Sequence, residues 1–138
     1  MTLKPVIQME KSGCGIAAAA AVAGVTYVKA KRIASGLGIH AAEKPRGLGI
    51  RDVRALLGQL GVKLSSHETP FTSWGQLPDV SLLAIKWSVS KGVPCWHWVT
   101  FVRQGPSHFV LDPKRGLRSN IRTDFGRMRP KWFIAVRG

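Results

Sequence analysis

Ser12–Gly24 reads Ser-Gly-Cys-Gly-Ile-Ala-Ala-Ala-Ala-Ala-Val-Ala-Gly, and its reading decides how the rest of the chain must fold. Alanine has the best helix propensity and a side chain small enough to let neighbours approach closely, so the run predicts a buried helix from about Cys14 to about Gly24. Lysines ahead of the run imitate a secretion signal. Glu10 before it, the weak hydrophobicity of alanine and the break at Gly24 argue for a core helix instead, and the stretch is far below the roughly 20 apolar residues of a membrane span. Cys14 therefore stands at a helix N-terminus. A sulfur there faces unsatisfied backbone N–H groups and the positive end of the macrodipole, which favours an anion. Gly13 and Gly15 remove side chains that would obstruct an approaching carbonyl group and permit a tight turn into the helix.

Outward from this helix, a second is predicted over Tyr27–Ser35, closed by Gly36. A third follows from the spacing of Ile50, Val53, Leu56, Leu57 and Leu60, with Gly61 as its stop. Beyond Gly61 the pattern changes to short runs rich in Val, Ile, Phe and Trp, bounded by Pro and Gly: Val62–Ser65, Ser81–Trp87, Trp96–Arg103, Ser107–Leu111 and Trp132–Arg137. Helices first and strands second, without regular alternation, predict an α+β fold with N-terminal helices packed on a mainly antiparallel C-terminal sheet. At 138 residues and 45% apolar content, one domain over 1–138 is expected.

Twenty-one Lys and Arg against seven Asp and Glu give a formal charge of +14, which draws polyanions or acidic protein surfaces and equally keeps a globule soluble. The excess thickens at the end, where Lys114, Arg115, Arg118, Arg122, Arg127, Arg129, Lys131 and Arg137 face Asp124 alone after Asp112. Cys14 and Cys95 sit in unlike surroundings and make no disulfide framework, so a reducing, cytoplasmic setting is expected. A metal site on Cys95-x-His97 lacks a second close ligand pair, and neither metal nor cofactor is expected. Of the five tryptophans, Trp74, Trp87, Trp96, Trp98 and Trp132, most lie in apolar strand context and are assigned to core packing rather than base stacking.

A second chemical signal comes from strand pairing. With Gln104-Gly105 as a two-residue loop, Arg103 meets Pro106, Phe101 meets His108, Val99 meets Val110 and His97 meets Asp112. Opposed residues have Cβ atoms about 4.5–5.5 Å apart, which lets a carboxylate hold an imidazole N–H. His108 would lie about 13 Å along the strand from Asp112 and is taken as structural. His40 and His67 fall in loops and are taken as surface residues.

These residues carry a family resemblance. Gln8 ahead of Cys14-Gly15, the Ala-rich helix, the leucine-patterned helix ending Leu60-Gly61-Val62, His97-Trp98-Val99 at the start of a strand, Asp112-Pro113 and a terminal strand near Trp132 together resemble the papain-like peptidase domain that cleaves double-glycine leaders of bacteriocin precursors. The resemblance implies a papain-like fold and a cysteine peptidase acting on a peptide or protein substrate. Cys14 would be the nucleophile, His97 the acid–base, Asp112 the orienting carboxylate, and Gln8 an oxyanion-hole donor beside the Cys14 backbone N–H. Cleavage after small residues in a leader is part of the same implication. With no transmembrane or nucleotide-binding segment in the sequence, a free-standing domain is expected, and His40–Leu48 reads as a loop near the substrate path. The competing reading is a catalytically inactive or differently acting papain-like module that holds an acidic protein or nucleic acid on its basic surface.

Overall fold

The computed structural model describes residues 3–137. Its helical half follows the expected order: α1 (Cys14–Ala23), α2 (Tyr27–Gly36) and α3 (Ile50–Gln59). Every residue of α1 from Cys14 to Val22 is buried, so the helix is an internal rod with no solvent face. Alanine permits this, because a rod of small side chains can touch α2, α3 and the sheet at once. Gly24 ends the helix in the left-handed conformation with φ 72°, its N–H returning to the Ala20 carbonyl. Thr26 opens α2 by accepting a hydrogen bond from the Lys29 N–H at 3.1 Å. In α3 the apolar stripe buries Val53, Leu56 and Leu57 completely, with Ile50 and Leu60 half-buried at its ends.

The second half forms β1 (Lys63–Leu64), β2 (Thr69–Pro70), β3 (Val80–Ser90), β4 (Val93–Gln104), β5 (Ser107–Leu111), β6 (Ile121–Arg122) and β7 (Pro130–Arg137). They make a seven-stranded sheet ordered β1-β7-β3-β4-β5-β6, with β2 also on β7, and all its pairings are antiparallel. The sheet separates two cores. Leu82, Trp98 and Ile134 meet the helices, whereas Leu83, Ile85, Val99, Phe101 and Phe133 bury the opposite face under Leu77 and Met128. This is the α+β arrangement expected from the sequence, helices packed on one face of an antiparallel sheet.

Three differences from the sequence reading concern strands. β3 and β4 run on through the turn at Lys91-Gly92 as one long hairpin, longer than the predicted Ser81–Trp87 and Trp96–Arg103. The two-residue strands β2 and β6 carry no period long enough to read. The β4–β5 loop is Gly105-Pro106 rather than Gln104-Gly105, so Gln104 faces Ser107 and Phe101 faces Val110, a slip of two residues. Its cause is local. Gly105 takes φ 57° at the first loop position, and the turn keeps Pro106, which has no N–H to give a ladder, out of the strand pairing.

Candidate active site

The loop preceding α1 is built around Gln8. Its amide Nε2 donates to the carbonyls of Glu10 at 3.0 Å and Lys11 at 2.9 Å, and its backbone N–H donates to the Pro113 carbonyl at 2.9 Å. The Oε1 atom is buried without a partner. Glu10, turned outward by the same loop, accepts from the Tyr27 hydroxyl at 2.5 Å and pairs with Lys31 at 3.1 Å. Ser12 donates to the Ala41 carbonyl at 2.6 Å. The approach to Cys14 is thus tied to α2, to the 41–43 turn and to the residue after Asp112.

The glycines around Cys14 do a different job from the one their sequence position suggests. A Cβ on Gly13 would lie 2.2 Å from the Tyr27 hydroxyl oxygen, and one on Gly15 would lie 2.9 Å from Leu48 Cβ and 3.2 Å from Trp98 Cδ1. Close packing of the helix start against α2 and the sheet, more than room for a carbonyl group, excludes side chains there. Gly47 has φ 84°, and a Cβ there would point at the Cys14 sulfur, 3.9 Å away. Trp98, fully buried, donates its indole N–H to the Leu48 carbonyl at 2.8 Å and so fixes this loop next to the thiol. Of the tract His40–Leu48, read from the sequence as a loop near the substrate path, Gly47 is the residue set against the Cys14 sulfur.

His97 stands on β4, and its Nε2 lies 2.7 Å from Asp112 Oδ1. Nε2 therefore carries the proton toward the carboxylate, which leaves Nδ1 free, and the Cys14 sulfur lies close enough to the ring to influence its charge. Burial works against charge on the imidazole, but the bond to Asp112 and its charge, with the neighbouring Cys14 sulfur, outweigh it and push its pKa up to about 9. Asp112 is 1% exposed. Oδ1 also accepts the Lys114 backbone N–H at 2.9 Å, and Oδ2 accepts Arg122 Nη1 at 2.9 Å. Burial alone would raise its pKa; the bond and charge of His97, with the other donors, bring it down to about 2.

The slipped register leaves this contact in place. Continued one residue past Leu111, the pairing sets Asp112 opposite Val99, so His97 is its diagonal neighbour rather than its direct partner. A slip of two keeps both side chains on one side of the ladder, within reach of an imidazole.

Two residues of the cluster were not among the sequence candidates. Arg122, assigned to the basic surface, instead turns inward and joins Asp112 to Asp124, which it meets at 2.7 Å. Asn120 donates to the carbonyls of Asp112 at 2.7 Å and Lys114 at 2.9 Å, and its own carbonyl accepts the Asp112 N–H at 2.8 Å. Arg122 arrives on the returning strand β6 and Asn120 immediately before it, and neither has a sequence signature. The remaining histidines lie elsewhere: His40 and His67 are exposed, and His108 stacks on Phe125 with ring centroids 5.1 Å apart. Cys95 is a free thiol 3.3 Å from the Ser88 hydroxyl. Trp96, Trp98 and Trp132 form an edge-to-face cluster and Trp74 packs among Phe71, Phe101 and Phe125, but Trp87 departs from the core assignment and is 38% exposed.

The chain is similar in structure to the peptidase domain of Streptococcus ComA, a bifunctional ABC transporter involved in a quorum-sensing pathway. The TM-score is 0.67 at 16% identity, over 98% of each chain. The two share a fold. A double-glycine motif protease from an AMS/PCAT transporter, solved in complex with the leader peptide, matches with TM-score 0.63 at 17% identity over 98% of this chain and 91% of the other. No protein-family model and no curated relative matches the sequence. The resemblance to double-glycine peptidase domains thus extends from motifs to the whole architecture. Among the described residues no single helix is long and apolar enough to cross a membrane, although the neighbours are parts of transporters.

Proposed function

We propose that this chain is a cysteine peptidase that cleaves a peptide bond after small residues, as in a leader peptide ending in Gly-Gly or Gly-Ala. The observation that carries the reading is the 2.7 Å bond between His97 Nε2 and the buried Asp112, with the Cys14 sulfur at the start of α1 among the neighbours that favour a charged imidazole. In the acylation step the Cys14 thiolate attacks the carbonyl carbon, and the imidazolium gives its proton to the departing amine as the C–N bond breaks. A thioester remains. Water then attacks the thioester, His97 takes its proton, and the acid product leaves with the thiolate–imidazolium pair restored. Asp112 holds the Nε2–H tautomer and stabilises the charged ring.

The developing oxyanion meets the unsatisfied N–H groups at the start of α1, that of Cys14 first. Gln8 serves as second donor by exchanging its bond to the Glu10 or Lys11 carbonyl for one to the oxyanion. Small residues on the acyl side are supported by Gly47 against the sulfur and by a neighbouring cavity of about 190 Å³ walled by Gly47, Leu48, Gly49, Pro94, Cys95 and Trp96. The likeness to a protease solved with its leader peptide supports the same substrate class.

The test is incubation of the protein and its Cys14→Ala variant with synthetic leaders ending in Gly-Gly or Gly-Ala, with products read by mass. Cleavage after the small pair by the parent alone is the expected result. Identical product profiles from both proteins would discard the peptidase and leave a basic module of this fold.

A further inference from the structure

We infer that the side of the site on which His97 opens selects carboxylates, so that the peptide segment on the leaving side of the scissile bond is acidic. The direction of this inference rests on the peptidase reading. An imidazole that protonates the departing amine must lie beside it, so the chain that follows the scissile bond passes over the space His97 faces. That space is a cavity of about 410 Å³ lined by Gln8, Lys11, Lys86, His97, Lys114 and Arg115, with no carboxylate among them. Lys86 also borders a second cavity, of about 620 Å³, with Arg127, Arg129 and Lys131. The two share Lys86 as a common wall and are taken together as one basic trough that begins at the imidazole; the cavity beyond Lys114 brings in Asp124.

Among the described residues none of the trough's lysines and arginines has a carboxylate partner, a condition they share with other surface cations such as Arg32, Arg51 and Lys63. What separates two of them from ordinary surface charge is backbone strain. The non-glycine residues with positive φ are Lys86 (53°), Lys91 (52°) and Arg129 (50°). The tight turn Lys91-Gly92 accounts for Lys91. Lys86 sits where β3 loses register with β4 after Ile85, and Arg129 sits across from it, between the turn Phe125–Arg127 and Pro130 of β7, which faces Ile85. Both line the larger cavity. A bulge beside a reactive centre re-aims a side chain, and a left-handed residue with a Cβ persists at a cost that glycine would not incur. Here that cost sets two unpaired cations around one space.

Peptide carboxylates fit this trough better than a nucleic acid strand. Its one exposed aromatic residue, Trp87, is covered by Lys131, whose ammonium lies 4.7 Å from the ring centre, which takes away the free stacking platform that bases use.

The experiment uses three fluorescent peptides that share a Gly-Gly pair and differ only after it, in Glu-Glu, Gln-Gln or Lys-Lys. Binding to Cys14→Ala is followed by anisotropy, and cleavage by the parent protein by mass. The Glu peptide should bind about 10-fold tighter than its Gln isostere at low salt, with the advantage shrinking at high salt, and should be favoured in kcat/KM chiefly through KM. Lys86→Gly and Arg129→Gly should melt at or above the parent's temperature, since they relieve the left-handed strain, yet lower the Glu-to-Gln ratio severalfold. A purely structural role would move stability and leave the ratio alone. Equal affinity for the Glu and Gln peptides, or an oligonucleotide of matched charge binding more tightly than the Glu peptide, overturns the inference. Glu preference in binding with no cleavage upholds the trough and sinks the peptidase; cleavage with no preference does the reverse.

Discussion

Asp112 and Lys86 both serve the surroundings of one imidazole, and they are held in opposite ways. Asp112 is 1% exposed and accepts from three donors, those of His97, Lys114 and Arg122. Lys86 is exposed, has no carboxylate partner among the described residues and stands in a strained backbone conformation. A charge taken out of water must have its lone pairs satisfied, and once satisfied it fixes its neighbours to fractions of an ångström. A charge left in water fixes nothing but attracts its opposite, and salt weakens it. On the proposed reading the inner cluster governs whether the site reacts, and the outer one governs what it reacts with.

The largest expected effect lies in the inner cluster. Asp112→Asn keeps the shape but removes the charge that orients and protonates His97, and kcat should fall by about 10²- to 10⁴-fold with KM little changed. A loss appearing wholly in KM would place Asp112 in the binding half of the comparison. Gln8→Ala should reduce kcat by about 100- to 1,000-fold if its amide reaches the oxyanion. Melting of the loop before Cys14, seen as a lower Tm with normal kcat per folded molecule, would make Gln8 a brace alone.

Stability predictions are smaller. Arg122→Met withdraws a charged donor from a buried carboxylate and should cost about 1.5–3 kcal/mol in urea unfolding. A loss below 0.5 kcal/mol, the scale of an ordinary surface change, would return Arg122 to the outer group. The pH dependence follows from the shifts. Raised to about 9 in the fold, His97 contributes stability that is full below its ordinary pKa near 6.5 and is lost as pH rises through about 9. Asp112, lowered to about 2, contributes above its ordinary value near 3.8 and ceases to do so as pH falls through about 2. The kcat/KM profile should accordingly descend on its alkaline side near pH 9, where the leaving amine loses its proton donor. Persistence of full activity at pH 10 would show that the imidazolium is not the acid. The smallest effect belongs to the rim: raised salt should lower binding of acidic peptides while leaving alkylation of Cys14 by iodoacetamide almost unchanged.

The elements that were legible in the sequence are those with a period or a stop. Ala17–Ala21 and the Ile50–Leu60 stripe each imposed a helix whose ends Gly24 and Gly61 marked, and the structure keeps both. The His97–Asp112 contact was reached from a register two residues wrong, and it survived because side chains on a strand alternate with a period of two. An error of one would have sent the carboxylate to the other side of the sheet. Arg122 and Asn120 were out of reach. Their places depend on a return loop from Lys114 to Ile121 that ends in the two-residue strand β6, whose only instruction is its pairing with β5.

Taken alone, the order of residues determined that a helix begins at Cys14, that a histidine and an aspartate fall on adjoining strands, and that positive charge is in excess. Helix propensity, side-chain alternation and charge are local quantities, carried by each residue wherever it is placed. The tertiary structure alone decided which of the many cations turns inward to Asp112 and which remain unpaired around the imidazole. That choice depends on which groups lose water together, and burial is a property of the assembled chain.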